Sequence, residues 1–353
     1  MNSKQIMQIF EDTAYIRMGG RPEEKQAAEY LCGKVSELGL EASIEPFEVP
    51  MGDMEEAVFQ ADGVSIPCKG YMCAGSGEVE APFYYLRSTD ACSLRQCKGK
   101  IVMIDGYLGY WIYQDLLANG AVGVVTYDGN VNYTDRDIDA RELRSYVHKG
   151  SKTLAVNINA KDAVDLINKG VTTAKIILKQ NEYTGTSQNV ILDMPGQVDE
   201  YIVFTAHYDS TSLSQGAYDN MSGSVGLLGI AEHFAKNPHR YVLRFVWCGC
   251  EERGLLGSKA YQDVYSSDST PFADKGVPAV SFARRAPGNT ATIHNSYDTM
   301  ALMKGEQMVE DIAFIVRFAD RMANAQFCPV ARQMPDNMKD KLDNYLGRKR
   351  PNP

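Results

Sequence analysis

The sequence predicts an α/β sandwich with a smaller domain set into it, and three observations carry that reading. The segments Tyr201–Asp209 and Tyr241–Cys248 are near-continuous in apolar residues, as strands covered on both faces of a parallel-type sheet are. Segments with helical apolar spacing alternate with such strands from about residue 189 to 325, the order that lays helices on a sheet. From about Gly52 to Gly185 the character changes to short β-like runs broken by polar loops, which marks an inserted accessory domain.

Taken in order, apolar spacing predicts helices over Gln5–Ile16 and Glu23–Leu38, the second ended by Gly39. Glu41–Val49 alternates with period two, as a half-exposed strand does. Inside the insertion the β-like runs are Phe83–Leu86, Ile101–Ile104, Val122–Tyr127, Thr153–Ile158 and Ala174–Lys179, with two short helical stretches and a polar loop over Asn130–Asp139. Strand pattern resumes at Asn189–Met194 and is turned by Pro195-Gly196. Helices follow over Ser222–Phe234 and Gly305–Ala325. There is no internal repeat and no low-complexity tract.

At 353 residues and 44% hydrophobic content the chain can build more than one core. A net charge of -9 argues against a nucleic-acid partner, which needs a basic face. The basic run Arg348-Lys349-Arg350 lies in a polar tail and reads as a solvated terminus. Met1–Ile6 has no apolar core of secretory length, and no stretch approaches the roughly 18 apolar residues of a membrane span. The eight cysteines show no zinc-finger spacing and fit a reducing compartment. The expectation is a cytoplasmic protein with no membrane partner, or a secreted one if a native leader has been removed.

The chemistry sits just past the carboxyl ends of the two apolar strands, where open α/β sheets place their ligands. His207 can coordinate a metal, and Asp209, two residues along extended chain, can hold the imidazole from behind. Asp219 has a carboxylate able to bridge two cations, and equally suits a helix N-cap. Glu251 and Glu252 are adjacent, so their side chains diverge, leaving one to ligate a metal and the other to act as general base. Two carboxylates at the end of a buried strand are costly without a cation nearby. His294 supplies a second imidazole, whereas His148, His233 and His239 lack such carboxylate neighbours. A core histidine or a turn aspartate explains each residue singly, but not the cluster. Two histidines with several carboxylates suit zinc.

At these residues the chain resembles a known family. His207-Tyr208-Asp209, Ala217-Tyr218-Asp219-Asn220, Glu251–Ser258, Ser267–Phe272 and His294–Thr299 are similar to the signatures of the co-catalytic di-zinc aminopeptidases. That family includes leucyl aminopeptidases, glutamate carboxypeptidases and non-catalytic transferrin receptors. Gly99-Lys100-Ile101-Val102 and Gly120–Val124 resemble the protease-associated domain inserted in many members. The resemblance implies a three-layer sandwich with a mixed central sheet, formed by 1–51 and 186–330. A β-rich α+β protease-associated domain would occupy 52–185, and a tail 331–353. It implies a peptide substrate and two zinc ions, with Asp219 bridging, His207 on one ion, and Glu252 and His294 on the other. Glu251 matches the general base, and Asp209 the residue orienting His207.

One departure stands out. The family's second terminal carboxylate, an aspartate on a strand of the form Asn-x-Asp-Met, has no counterpart, and residues 253–266 are all that separate Glu252 from Ser267. A sheet strand and its helix are therefore expected to be missing, and the zinc position at His207 to be weak or empty. Asp263 and Asp268 are the nearest candidate replacements. Retention of Glu251 favours an exopeptidase, and the lost ligand favours a binding or scaffold relative without activity. Within the class, a one-zinc enzyme keeps Asp219, Glu252 and His294 with a water. A carboxypeptidase would use Arg284 and Arg285 to clamp a carboxylate. The acidic site favours cleavage from the amino terminus.

Overall fold

A computed structural model describes residues 1–261, 270–284, 293–327, 330, 334, 336–345 and 348–350. The chain divides into two compact units, Met1–Val49 with Thr186–Pro353 and Pro50–Gly185.

The first unit is organised around the strand Tyr241–Cys248, which pairs on both edges. Val198–His207 runs parallel to it, with Cys248 opposite His207, and the end of Thr173–Met194 runs antiparallel, with Trp247 opposite Val190. The sheet is therefore mixed. Inward-facing Leu243, Phe245 and Trp247 are fully buried, and Phe204 stacks on Phe245 with ring centroids 4.9 Å apart. These residues share one apolar cluster with the helices Ser3–Asp12, Pro22–Glu37, Ser222–Phe234 and Gly305–Ala323.

The structure corrects several boundaries. The first helix stops at Asp12 rather than continuing to Ile16. The carbonyls of Thr13 and Tyr15 are taken by the Arg17 guanidinium instead of by helical N–H groups. Ala174–Lys179 and Asn189–Met194 are parts of one long strand, Thr173–Met194, and the strand expected over Glu41–Val49 runs on as Ala42–Ala61. The Val198–His207 strand is not buried on both faces. Tyr201 is exposed and Ile202–Thr205 are only half-buried, because among the described strands it pairs with Tyr241–Cys248 alone.

The second unit has its own core around Ile101, Val102, Val124, Val125 and Val156. Gly77–Tyr85, Ile101–Asp105, Gly123–Asp128 and Ala155–Asn159 pair in parallel in that order. In sequence, helix Tyr110–Ala118 lies between the second and third of these strands, and helix Ala160–Lys169 follows the last. Asn159 caps the second helix through the Lys161 N–H, and Gly170, with φ of 66°, ends it.

Candidate metal centre

His207 is the last residue of its strand, and the two residues that follow turn across the end of the neighbouring strand. There the Asp209 carboxylate, fully buried, accepts the backbone N–H groups of Glu251 at 3.0 Å and Glu252 at 3.1 Å. The same carboxylate lies 3.3 Å from His207 Nδ1. One aspartate thus touches both the imidazole and the Glu251-Glu252 turn. Ser224 donates to the His207 carbonyl at 2.9 Å, tying the strand end to the helix Ser222–Phe234.

Asp219 sits in the turn Ala217–Met221 that leads into that helix. The buried Asp298 carboxylate accepts the N–H groups of Tyr218 at 2.7 Å and Asp219 at 3.0 Å. This fixes the turn so that the Asp219 oxygens face opposite ways. Oδ1 lies 3.2 Å from His207 Nε2, and Oδ2 lies 3.1 Å from His294 Nε2. Glu252 meets the same His294 nitrogen at 3.1 Å, and Glu251 approaches His207 Nε2 at 3.8 Å. His294 and Cys250 both hold left-handed backbone, with φ of 58° and 51°. Non-glycine residues occupy that region at a cost of order 1–3 kcal/mol, and they concentrate at functional sites.

Among the described residues two groups have ligand atoms within 4.8 Å of one another, His207 with Glu251 and Glu252, and Asp219 with Glu252 and His294. His207, Asp209, Asp219, Glu251, Glu252 and His294 are therefore brought into one cluster. Asp263, Asp268 and Arg285 lie outside the described residues. Arg284 is exposed and its Nη2 donates to the Asp311 carboxylate at 2.6 Å.

Burial opposes charge on His207, but Glu251, Asp209 and Asp219 outweigh it and hold its pKa well above the usual range. Burial would raise the Asp219 carboxyl, yet its bonds to His207 and His294 hold it well below the carboxylate range. Burial pushes Glu252 up in spite of His294. Imidazole nitrogens and carboxylate oxygens gathered this closely make a donor set that fits zinc.

Sequence reasoning missed three contributors. Asp298 stood inside a recognised motif without a role. Arg17 and Glu24, both fully buried, had none either. Glu24 left a signal, since it falls at helical spacing with buried Ala27, Ala28, Leu31 and Val35, and a carboxylate on an apolar stripe calls for a partner.

A strand-end imidazole, His207, and a second imidazole outside the sheet, His294, thus meet on one shared carboxylate. Residues 189–266 match the model of peptidase family M28. Aminopeptidase YwaD of Bacillus subtilis (strain 168) is 29% identical over 264 residues, covering 70% of this chain and 54% of the relative. Leucine aminopeptidase 2 of Trichophyton equinum is 25% identical over 259 residues, covering 70% and 50%. The chain spans about half the length of these curated relatives. Among solved structures, the zinc aminopeptidase BSAP from Bacillus subtilis superposes with a TM-score of 0.75 at 20% identity, covering 94% of this chain and 97% of that one. An aminopeptidase from Aneurinibacillus sp. strain AM-1 gives 0.73 at 19%, covering 95% and 97%. The chain is thus similar in part of its sequence to peptidase family M28 and in fold to solved zinc aminopeptidases.

Proposed function

We propose that this protein is a zinc-dependent exopeptidase that hydrolyses the amino-terminal bond of peptides. The observation that carries the reading is the Asp219 carboxylate, whose two oxygens lie 3.2 and 3.1 Å from two different imidazoles. Asp219, Glu252 and His294 would hold one zinc, and His207 with Asp219 would form a second, weaker position, since the family's further carboxylate has no counterpart in the sequence. Bound zinc supplies Lewis acidity toward the peptide carbonyl and toward water. Glu251, 3.8 Å from the His207 ring, would accept a proton from the attacking water and return it to the leaving amine. Asp209 keeps His207 and Glu251 in register by touching both.

The concentration of carboxylates suits a substrate ammonium, and Arg284 already satisfies Asp311, so the amino terminus is the end recognised. The unit Pro50–Gly185 is read as a protease-associated domain on the Gly99–Val102 and Gly120–Val124 segments and on its separate core. Turnover of leucine p-nitroanilide with added zinc tests the assignment. Hydrolysis that stops when the amino group is acetylated is the expected result. Faster cleavage of the acetylated substrate, or no turnover of either, would contradict it.

A further inference from the structure

We propose that Arg17 and Glu24 are positioning residues for the metal centre, bracing from one short N-terminal segment the two strand ends that carry its ligands. The inference rests on the zinc reading above. Arg17 is fully buried, and among the described residues its side-chain hydrogen bonds all go to backbone carbonyls. Nε donates to Tyr208 O at 2.7 Å, and Nη1 to Gln215 O at 2.6 Å, with further bonds to Thr13, Tyr15 and Gly216 carbonyls. Tyr208 stands between His207 and Asp209, and Gly216 opens the turn that holds Asp219. A single guanidinium therefore ties together the strand end bearing one imidazole and the turn bearing the shared carboxylate. The Arg17 backbone joins the same strand end through a 2.9 Å bond to Ser210 Oγ and a 3.2 Å bond from Ser210 N.

Glu24 treats the second strand end in the same way. Its carboxylate accepts the N–H of Cys250 at 2.7 Å, the Ser187 hydroxyl at 2.9 Å and the N–H of Gly20 at 2.7 Å. Cys250 precedes Glu251, whose N–H and that of Glu252 go to Asp209. Three successive N–H groups of the Glu251-Glu252 turn are thus held by two buried carboxylates. Burial pushes the Glu24 carboxyl up to about 8 and lowers the Arg17 guanidinium to about 10. A core built for stability alone gains little from burying a guanidinium whose hydrogen bonds go to carbonyls. The fork is needed because an ammonium cannot span carbonyls in this geometry.

Zinc affinity, measured by calorimetry well below the melting temperature, separates positioning from mere stability. Arg17→Lys and Glu24→Gln are expected to stay folded by circular dichroism and to lose about tenfold or more in zinc affinity, as loss of an orienting partner does. Val35→Ala, a truncation in the same core, should lower the melting temperature and leave zinc affinity within about twofold of the parent. Should both brace variants fail to fold, Ser187→Ala, which removes one donor to Glu24, decides the matter by the same loss in smaller degree. Folded brace variants with parental zinc affinity, or a loss in Val35→Ala as large as theirs, would overturn the inference. A parent chain that binds no zinc would instead overturn the zinc reading on which it stands.

Discussion

Asp219, His207 and His294 show how little freedom the centre leaves its individual residues. Asp219 presents one oxygen to each imidazole only because Asp298 holds the N–H groups of Tyr218 and Asp219 from behind. Glu251 has a different task from its neighbour. Glu251→Gln should keep zinc and lose activity by about a hundredfold or more, since it removes a proton acceptor and no metal ligand. Near-normal turnover in that variant would refute the role. His207 supplies a pH dependence whose sign follows from its surroundings. Its pKa is raised above the ordinary value, so below that raised pKa zinc must displace a proton from the ring. Affinity for zinc at the His207 position should rise with pH until that raised pKa is passed, by up to about tenfold per pH unit for each proton displaced. Calorimetry at pH 7 in buffers of different ionisation enthalpy should record proton release, and buffer-independent heats would contradict it. The six clustered side chains were legible in the sequence because all stand at strand ends or in short motifs. Arg17 was not, because an arginine that bonds only to carbonyls leaves no partner residue to find.

Among the elements, the turn between the His207 strand and the helix Ser222–Phe234 is tightly constrained. Gly216 has φ of 55°, and a Cβ there would meet the Asp219 carbonyl at 2.7 Å and Ser210 Cβ at 2.8 Å. Gly216→Ala should therefore cost about 1–3 kcal/mol of stability, from the left-handed backbone and the displaced turn. Because the displaced turn carries Asp219, zinc affinity should fall with it. Thermal melts with and without zinc check both, and a variant matching the parent in each would show the turn to be slack. The apolar strands were legible as strands, but their burial was not. A run such as Ile202–Thr205 looks the same whether one or two strands flank it, and in the structure it lies at the sheet edge among the described residues. Such an edge exposes backbone groups that can pair with another chain. The end of the first helix was likewise illegible, because it is set by a side chain, Arg17, whose contacts lie far along the sequence.

For the molecule as a whole, two separate cores within 353 residues make stability a property of each unit. On the proposed zinc reading the metal would bind only the folded first unit, and so should stabilise that unit by about 2.7 kcal/mol at a free concentration a hundred times its dissociation constant. The shortened segment after Glu252 shifts this balance. In the proposed arrangement the position of Asp219, Glu252 and His294 would have three protein ligands, whereas the one at His207 would share Asp219 without the further carboxylate whose motif the sequence lacks. Ligand number largely governs how firmly zinc is held. Zinc titration of the purified, metal-stripped chain by calorimetry tests this account most directly. The account predicts about one tightly bound zinc per chain, lost in His294→Ala. Two equally tight zinc ions, or tight binding that survives His294→Ala, would contradict it.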